Sequence, residues 1–303
     1  MSTNSPPPSI VRAQLGARLA QLREEAGLLQ GEAAFRAKLD SGGLSRIEGG
    51  TRGITPPTAQ RLLDCYGVTE PGVHAEILEL IRLDASLRRK PKWWKRHVDV
   101  LSPTAFDNYL ALEAAAVGQR TYEPLLIPGI LQTADYAHAV IPAMRPDFTA
   151  AQVKRLVEIR LSRQRRILQP GTPDIGENAS PRANLMILLD ARALQPSTAG
   201  ACVMRGQMQR LIEASDHPQI ALRMSPESAG LHPGLAGSFV IMEFPSAAAR
   251  DVVCVELMRR SVYLDDEAEV AQYHDTFNGL WKRSLTTAET SDYLKHKMEE
   301  LQL

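Results

Sequence analysis

Among the polar side chains between residues 30 and 52 are Gln30, Lys38, Ser41, Ser45, Arg46 and Arg52. An amide, two hydroxyls, an ammonium and two guanidiniums are the donors that satisfy phosphate oxygens and the acceptor edges of bases, and an arginine can fork onto guanine. Ser41, Ser45 and Arg46 lie in "SGGLSRIEGG", residues 41–50. Here Leu44 and Ile47 point inward at a three-residue spacing, and Asp40 or Ser41 supplies the N-terminal cap. The first turns also hold Gly42 and Gly43, which offer no donor and each cost about 1 kcal/mol of helix propensity relative to Ala. Asp40 faces any phosphate with the wrong sign. Two readings of Arg46 stand side by side, a contact to guanine or a surface ion pair with Glu48 or Asp40. Ser41 and Ser45 likewise read as contacts or as capping and solvated hydroxyls.

Other chemistry is poorly supplied. The histidines at 74, 97, 138, 217, 232, 274 and 296 include no pair at helical ligand spacing, so no metal site is expected. No nucleophile elbow and no Walker lysine occur, "GLHPGLAGS" reads as a turn before a strand, and Cys254 reads as a packed small hydrophobe among valines. No catalytic residue and no cofactor are expected.

These side chains need elements to hold them. Val11, Leu15, Leu19 and Leu22 keep helical spacing up to a stop at Gly27. A short helix is expected from Gln30 to Ala37, the 41–50 helix next, and a fourth after the "TPPT" start, with Thr55 as cap and Pro56 at its first position, running to Gly67. Leu29, just before Gln30, supplies no side-chain acceptor as a cap, which forgoes about 1 kcal/mol. A fifth helix is expected from Gly72 to about Leu87. "LRRKPKWWKRH", residues 87–97, carries six Lys/Arg, two adjacent Trp and Pro91, and reads as a linker that either grips phosphates and stacks on bases or anchors itself through its Trp pair. Beyond it, helices are expected at 103–120, 133–142 and 149–168, the last with a Thr149–Gln152 capping box. "GTPDIGENASPRAN" is a polar loop. "LMILLD", "IALRMSP", "SFVIMEF" and "VVCVEL" read as strands, "ACVMRGQMQRLIEAS" as a helix, and two more helices, from Asp266 to Leu285 and from Thr287, close the chain.

The fold class is therefore α+β, a five-helix N-terminal domain at 10–86 and a larger mixed α/β domain at 99–303, with a disordered leader at 1–9 and the basic Trp-containing linker at 87–98. The 303 residues carry no net formal charge, and residues 1–70 hold eight Lys/Arg against seven Asp/Glu, thin for a nucleic-acid binder. Cys65, Cys202 and Cys254 are too scattered for a disulfide framework, and neither a signal peptide nor a membrane-length apolar run is visible, so a soluble cytoplasmic protein is expected.

"AGLLQGEAAFRAKLDSGGLSRIEGGTRGITPPTAQRLLDCYGV" resembles the XRE-type helix-turn-helix repressor domain, with Gln30, Ser45 to Glu48, Gly50 and Pro56 at matching positions. "LEAAA", "YEPLLIPGILQTADYA", "RLSRQRRIL", "GLHPGLAGSFVIMEF" and "VVCVE" resemble the C-terminal domain of an antitoxin-like or WhiJ-like bacterial regulator family. The resemblance implies double-stranded DNA as partner, Gln30 on a phosphate, a homodimer, and a small acidic partner protein or small-molecule effector. It places Glu113, Arg160, Arg163, Gln164, His232 and Glu256 around a concavity of the larger domain, as a pocket wall or as an internal ion-pair network. Arg160 and Arg163 share one helical face, which suits a carboxylate or phosphate fork. Ala191 stands where that family commonly has an acidic residue. The leading expectation is a DNA-binding transcriptional regulator with a ligand- or partner-sensing C-terminal domain. The alternative is a helix-turn-helix descendant that no longer binds an operator and whose larger domain binds or transforms a metabolite.

Overall fold

The computed structural model describes residues 10–89, 92–101, 106–168, 184–195, 199–244, 249–257 and 260–301. The leader at 1–9 and nearly all of the polar loop at 171–184 lie outside them. The chain divides into two compact units, residues 1–90 with 244–250 and residues 91–243 with 251–303.

The first unit is built from α1 (Ile10–Glu25), α2 (Gln30–Arg36), α3 (Ser41–Glu48), α4 (Pro56–Tyr66) and α5 (Pro71–Arg89). Their apolar stripes converge on Val11, Leu19, Leu44, Leu62, Ile77 and Leu80, all buried. Close crossing of α1 over the end of α3 depends on small residues. A Cβ at Gly16 would stand 2.4 Å from the carbonyl oxygen of Glu48, and one at Gly50, whose φ is +68°, would stand 2.8 Å from the Cα of Ala13. Asp84, buried on α5, pairs with Arg12 at 3.1 Å and with Arg88 at 3.2 Å, tying α5 back to α1. Thr55 is the N-cap residue of α4 but makes no side-chain capping bond, and its hydroxyl instead meets that of Thr58 at 3.0 Å.

The second unit is a six-stranded sheet flanked by helices. After the turn Trp93–His97 come α6 (Val98–Leu101), α7 (Phe106–Glu113), β1 (Gly118–Glu123), α8 (Ala134–Met144), α9 (Ala150–Leu168) and β2 (Asn184–Asp190). Then follow α10 (Ala201–Ser215), β3 (Ile220–Ser225), β4 (Phe239–Glu243), β5 (Val252–Glu256), β6 (Ser261–Leu264), α11 (Glu267–Arg283) and α12 (Thr287–Glu300). The strand order is β3-β2-β1-β4-β5-β6, parallel from β3 to β1 and antiparallel from β1 to β6. Strand alternation sorts the side chains by face. Tyr122, Leu188, Phe239 and Val253 meet Phe277 and Leu280 of α11 on one face. Leu185, Ile187 and Leu189 meet Met204 and Leu211 of α10 and Leu294 of α12 on the other. Where that second face continues across β1 and β4 it carries Gln119, Thr121, Glu123 and Val240, and α7, α8 and α9 supply the remaining walls. Trp94 packs with Leu101, Leu110 and Ile159, and Arg166 lies over the Trp93 ring, so the Trp pair packs within the second unit.

Mixed α+β architecture is as the sequence implies, with two differences. The helix expected over 103–120 ends at Glu113, and residues 118–123 are strand β1. In "GQRTYE" both faces carry polar residues, so no apolar alternation marks the strand. The short strand β6 was likewise not expected. Among the described residues no helix is long and apolar enough to cross a membrane.

Candidate functional site

Two surfaces hold the residues singled out above, one on each unit. On the first, Asp40 caps α3 by accepting from the Gly43 amide at 2.6 Å. The same carboxylate stands 3.6 Å from Arg46 Nη2, with both side chains largely in solvent. Gly42 and Gly43 form the bed beneath these groups. A Cβ on Gly42 would lie 3.2 Å from Arg46 Nη1, and one on Gly43 would lie 3.2 Å from Arg52 Nη1. Two guanidiniums therefore reach the first turn of α3 where Gly42 and Gly43 leave it without side chains, and they offset the charge of Asp40. Ser41, Ser45 and Lys38 are exposed beside them, Lys38 in the left-handed region at φ 57°.

Gln30 is placed differently from the other five. Its Nε2 donates to Glu48 Oε2 at 2.7 Å, and Glu48 also receives Arg23 at 2.8 Å. The hydrogen bond and charge of Glu48 raise the Arg23 guanidinium above its usual pKa. Glu48 thus gathers the end of α1, the start of α2 and the end of α3. Leu29 makes no side-chain cap and is exposed.

On the second unit a cavity of about 310 Å3 opens between the sheet and α8 and α9. Its apolar wall includes Ile130, Ile141, Met144, Phe148 and Leu156, and its polar floor comes from β1 and the ends of β4, β5 and β6. Arg163, buried on α9, forks onto Glu113 at 2.7 and 2.5 Å and donates to the Tyr109 hydroxyl at 3.1 Å. Burial lowers the Arg163 pKa, but Glu113 and Tyr109 outweigh it and the guanidinium ends above its usual range. Gln119 donates to the Tyr109 hydroxyl and to Thr121 at 3.0 and 3.1 Å, so this cluster satisfies itself. Gln164 clamps the loop after β1 through the carbonyls of Gly129 and Gln132 at 2.9 and 2.8 Å.

Other polar groups of the cavity are less committed. Arg160 donates to the side-chain oxygen of Gln132, and burial lowers its pKa to about 10 against the opposing pull of Glu256. Glu123 is pushed up to about 8, chiefly by burial and secondarily by Glu256. Neither the Glu123 nor the Glu256 side chain has a hydrogen-bond or ion-pair partner among the described residues.

Of the six residues expected at a concavity, Arg160, Arg163 and Glu256 line it, while Glu113 anchors Arg163 from behind and Gln164 holds the loop. His232 lies apart, edge-on to Tyr122 at 6.1 Å between ring centres and 3.8 Å from Asp190. Burial lowers its pKa, and among the described residues neither ring nitrogen has a hydrogen-bond partner. Asp190 is fully buried and caps the turn that follows β2 by accepting from the Arg192 amide at 2.9 Å. Burial pushes the Cys254 thiol up to about 12.

Glu123, Gln132, Ser238 and Ser261 were not anticipated. For Glu123 the signal in the sequence is the alternation Gln119, Thr121, Glu123, which puts three polar side chains on one face of a strand. Glu243, Asp251 and His274 also bring ligand-type atoms within 4.8 Å of one another. Glu243 already holds Arg120 at 2.7 Å, and His274 already contacts Asp251 at 3.0 Å.

Residues 14–75 match the model of a helix-turn-helix domain, and residues 106–296 match that of a domain of unknown function, DUF5753. No curated protein and no solved structure matches the chain. With well over half of its length in that match, the chain belongs to the DUF5753 family and carries a helix-turn-helix domain ahead of the family's domain.

Proposed function

We propose that the protein is a DNA-binding transcriptional regulator of the XRE type, acting in the cytoplasm as a homodimer, whose DUF5753 unit senses a small molecule in its cavity. The observation that carries the reading is the cationic first turn of α3, where Arg46 and Arg52 lie over Gly42 and Gly43 within a helix-turn-helix domain. Arg46 and Arg52 are the groups for base edges and nearby phosphates. Lys38, Ser41 and Ser45 flank them, and Gln30 contributes its second amide hydrogen. A single copy offers few cations, and pairing doubles the phosphates neutralised, on which affinity depends steeply. In the sensing unit, Arg160, Glu256 and the cavity rim formed with Arg163 are the effector contacts, with Glu113 and Gln164 in support. A small acidic partner protein of the kind the antitoxin-like resemblance implies is a further proposed regulator of the same protein.

The test is genomic pull-down and mobility shift at stated salt, comparing the native protein with an Arg46→Ala/Arg52→Ala variant. Sequence-selective binding by the native protein and its loss in the variant is the expected result. Absence of binding by both overturns the reading and leaves the larger unit as a metabolite-binding protein, which the engagement of Gln30 by Glu48 favours.

A further inference from the structure

We propose that the cavity binds a compact amphipathic zwitterion, a free α-amino acid with a bulky apolar side chain, its ammonium on a row of carboxylates and hydroxyls and its carboxylate on Arg160. This names the effector class for the sensing half of the regulator reading, on which it rests.

The row follows from strand register. Glu256 pairs with Ser261, and continuing the β1–β4 and β4–β5 registers beyond their last paired residues sets Glu123 opposite Ser238 and Ser238 opposite Glu256. Glu123, Ser238, Glu256 and Ser261 thus form one transverse line across four strands, and all four line the cavity. With strands about 4.8 Å apart, the two carboxylates leave their backbones about 10 Å apart with a hydroxyl between them. This alternation of acceptors suits an ammonium with three donors.

Arg160 faces the same space from α9. Arg163 is spent on Glu113 and Tyr109, and Arg145 on Asp147 at 2.9 Å, stacked over Phe148. Arg260 is exposed where it lines the cavity. Arg160 uses Nη1 on Gln132, and among the described residues its other donors have no partner. A Cβ on Gly129 would stand 3.7 Å from Arg160 Nε and 3.3 Å from Arg163 Nη1, so the absent side chain keeps an approach to the guanidiniums open.

Charge decides among occupants. The Arg160 guanidinium balances one carboxylate, and the second, Glu123, keeps its proton near neutral pH because burial and Glu256 raise it. Other titratable groups around Glu123 are Tyr122 beside it on β1 and Tyr136 on α8, both raised themselves by burial first and by Glu123 among the lesser causes. With Arg260 left to solvent at the exposed rim, the inner part of the unliganded cavity is then neutral but carries both signs on opposite walls. An anion alone meets the Glu256 carboxylate, and a cation alone leaves a desolvated guanidinium without an anion. A zwitterion satisfies both walls, and its side chain lies on Ile130, Ile141, Phe148 and Leu156. Met144 and Leu257, which also line the cavity, are 52% and 46% exposed, as apolar groups awaiting cover would be.

The experiment is titration calorimetry of the full-length protein with L-phenylalanine, 2-phenylethylamine and 3-phenylpropanoate at one ionic strength. Phenylalanine is expected to bind at least tenfold more tightly than either singly charged analogue. Arg160→Met is expected to reduce phenylalanine to the level of the amine, and Glu256→Gln to that of the acid. Unfolding temperatures check that each variant folds. Should Arg160→Met unfold, Arg160→Lys replaces it and is expected to weaken phenylalanine while leaving the amine unchanged. Equal binding of any singly charged analogue, binding of none, or unchanged selectivity in folded variants overturns the proposal. A parallel mobility shift separates the two ideas: lost selectivity with DNA binding intact sinks only the zwitterion, whereas absent DNA binding sinks the regulator.

Discussion

The side-chain amide of Gln30 donates to Glu48 at 2.7 Å, so the residue that the helix-turn-helix resemblance assigns to a phosphate is first a strut inside its own domain. Glu48 holds Arg23 as well, and their side chains are 6% and 11% exposed. Removing one partner of such a covered pair strands the other. Glu48→Ala is expected to destabilise the protein by about 3 kcal/mol, and Gln30→Ala by about 1 kcal/mol, in thermal or urea unfolding. Equal and negligible losses would show that the three-way junction contributes nothing.

Asp40 combines a capping bond with a negative charge beside Arg46. Asparagine caps as well as aspartate, so Asp40→Asn is expected to leave stability within about 0.5 kcal/mol. DNA affinity is expected to rise, because a charge that repels phosphate and competes for Arg46 has gone, and an exposed pair of this kind costs little to break. Mobility shift at fixed salt reads the change, and a fall in affinity contradicts the placement of α3 against DNA.

Within the second unit, Glu113 is the counter-charge of a buried guanidinium. Glu113→Gln keeps the shape and removes the charge, and a loss of about 3 kcal/mol or more is expected in chemical unfolding. Glu256→Gln, at an exposed strand end, is expected to change stability far less.

Glu123 gives the protein a pH dependence of defined sign. Unfolded, this carboxyl ionises near 4.5, and folded it holds its proton to about 8. Between those values the unfolded state binds fewer protons, so this group makes stability fall as pH rises through the interval. Glu123→Gln is expected to flatten that slope and to stabilise the protein most at pH 8, as read from unfolding temperatures across pH 5 to 8.

Much of this was legible in the residues. The cap at Asp40, the inward Leu44 and Ile47, the Pro56 start and the Thr149–Gln152 box are local signals, and each sits where the spacing put it. Strand β1 was not legible because its cavity face is Gln119, Thr121 and Glu123 and its other face includes Arg120, which leaves no apolar period to read. Arg160 and Arg163 showed as one helical face because helix spacing is sequential. The line through Glu123, Ser238, Glu256 and Ser261 depends first on the register of β1 against β4, strands more than 100 residues apart in the chain, which no local pattern encodes.

Close passage of α1 over the end of α3 separates the glycines of the first unit into two kinds. A side chain added at 42 would press only on the tip of Arg46 and on Asp40, at 3.2 and 3.4 Å, whereas one added at 43 would stand 2.6 Å from the Asp40 carboxylate that caps the helix, and one added at 16 would strike carbonyl oxygens of the backbone at 2.4 and 2.5 Å. A library that redesigns this head for new target sequences can therefore diversify position 42, can vary position 43 only together with Asp40, and must hold position 16 constant.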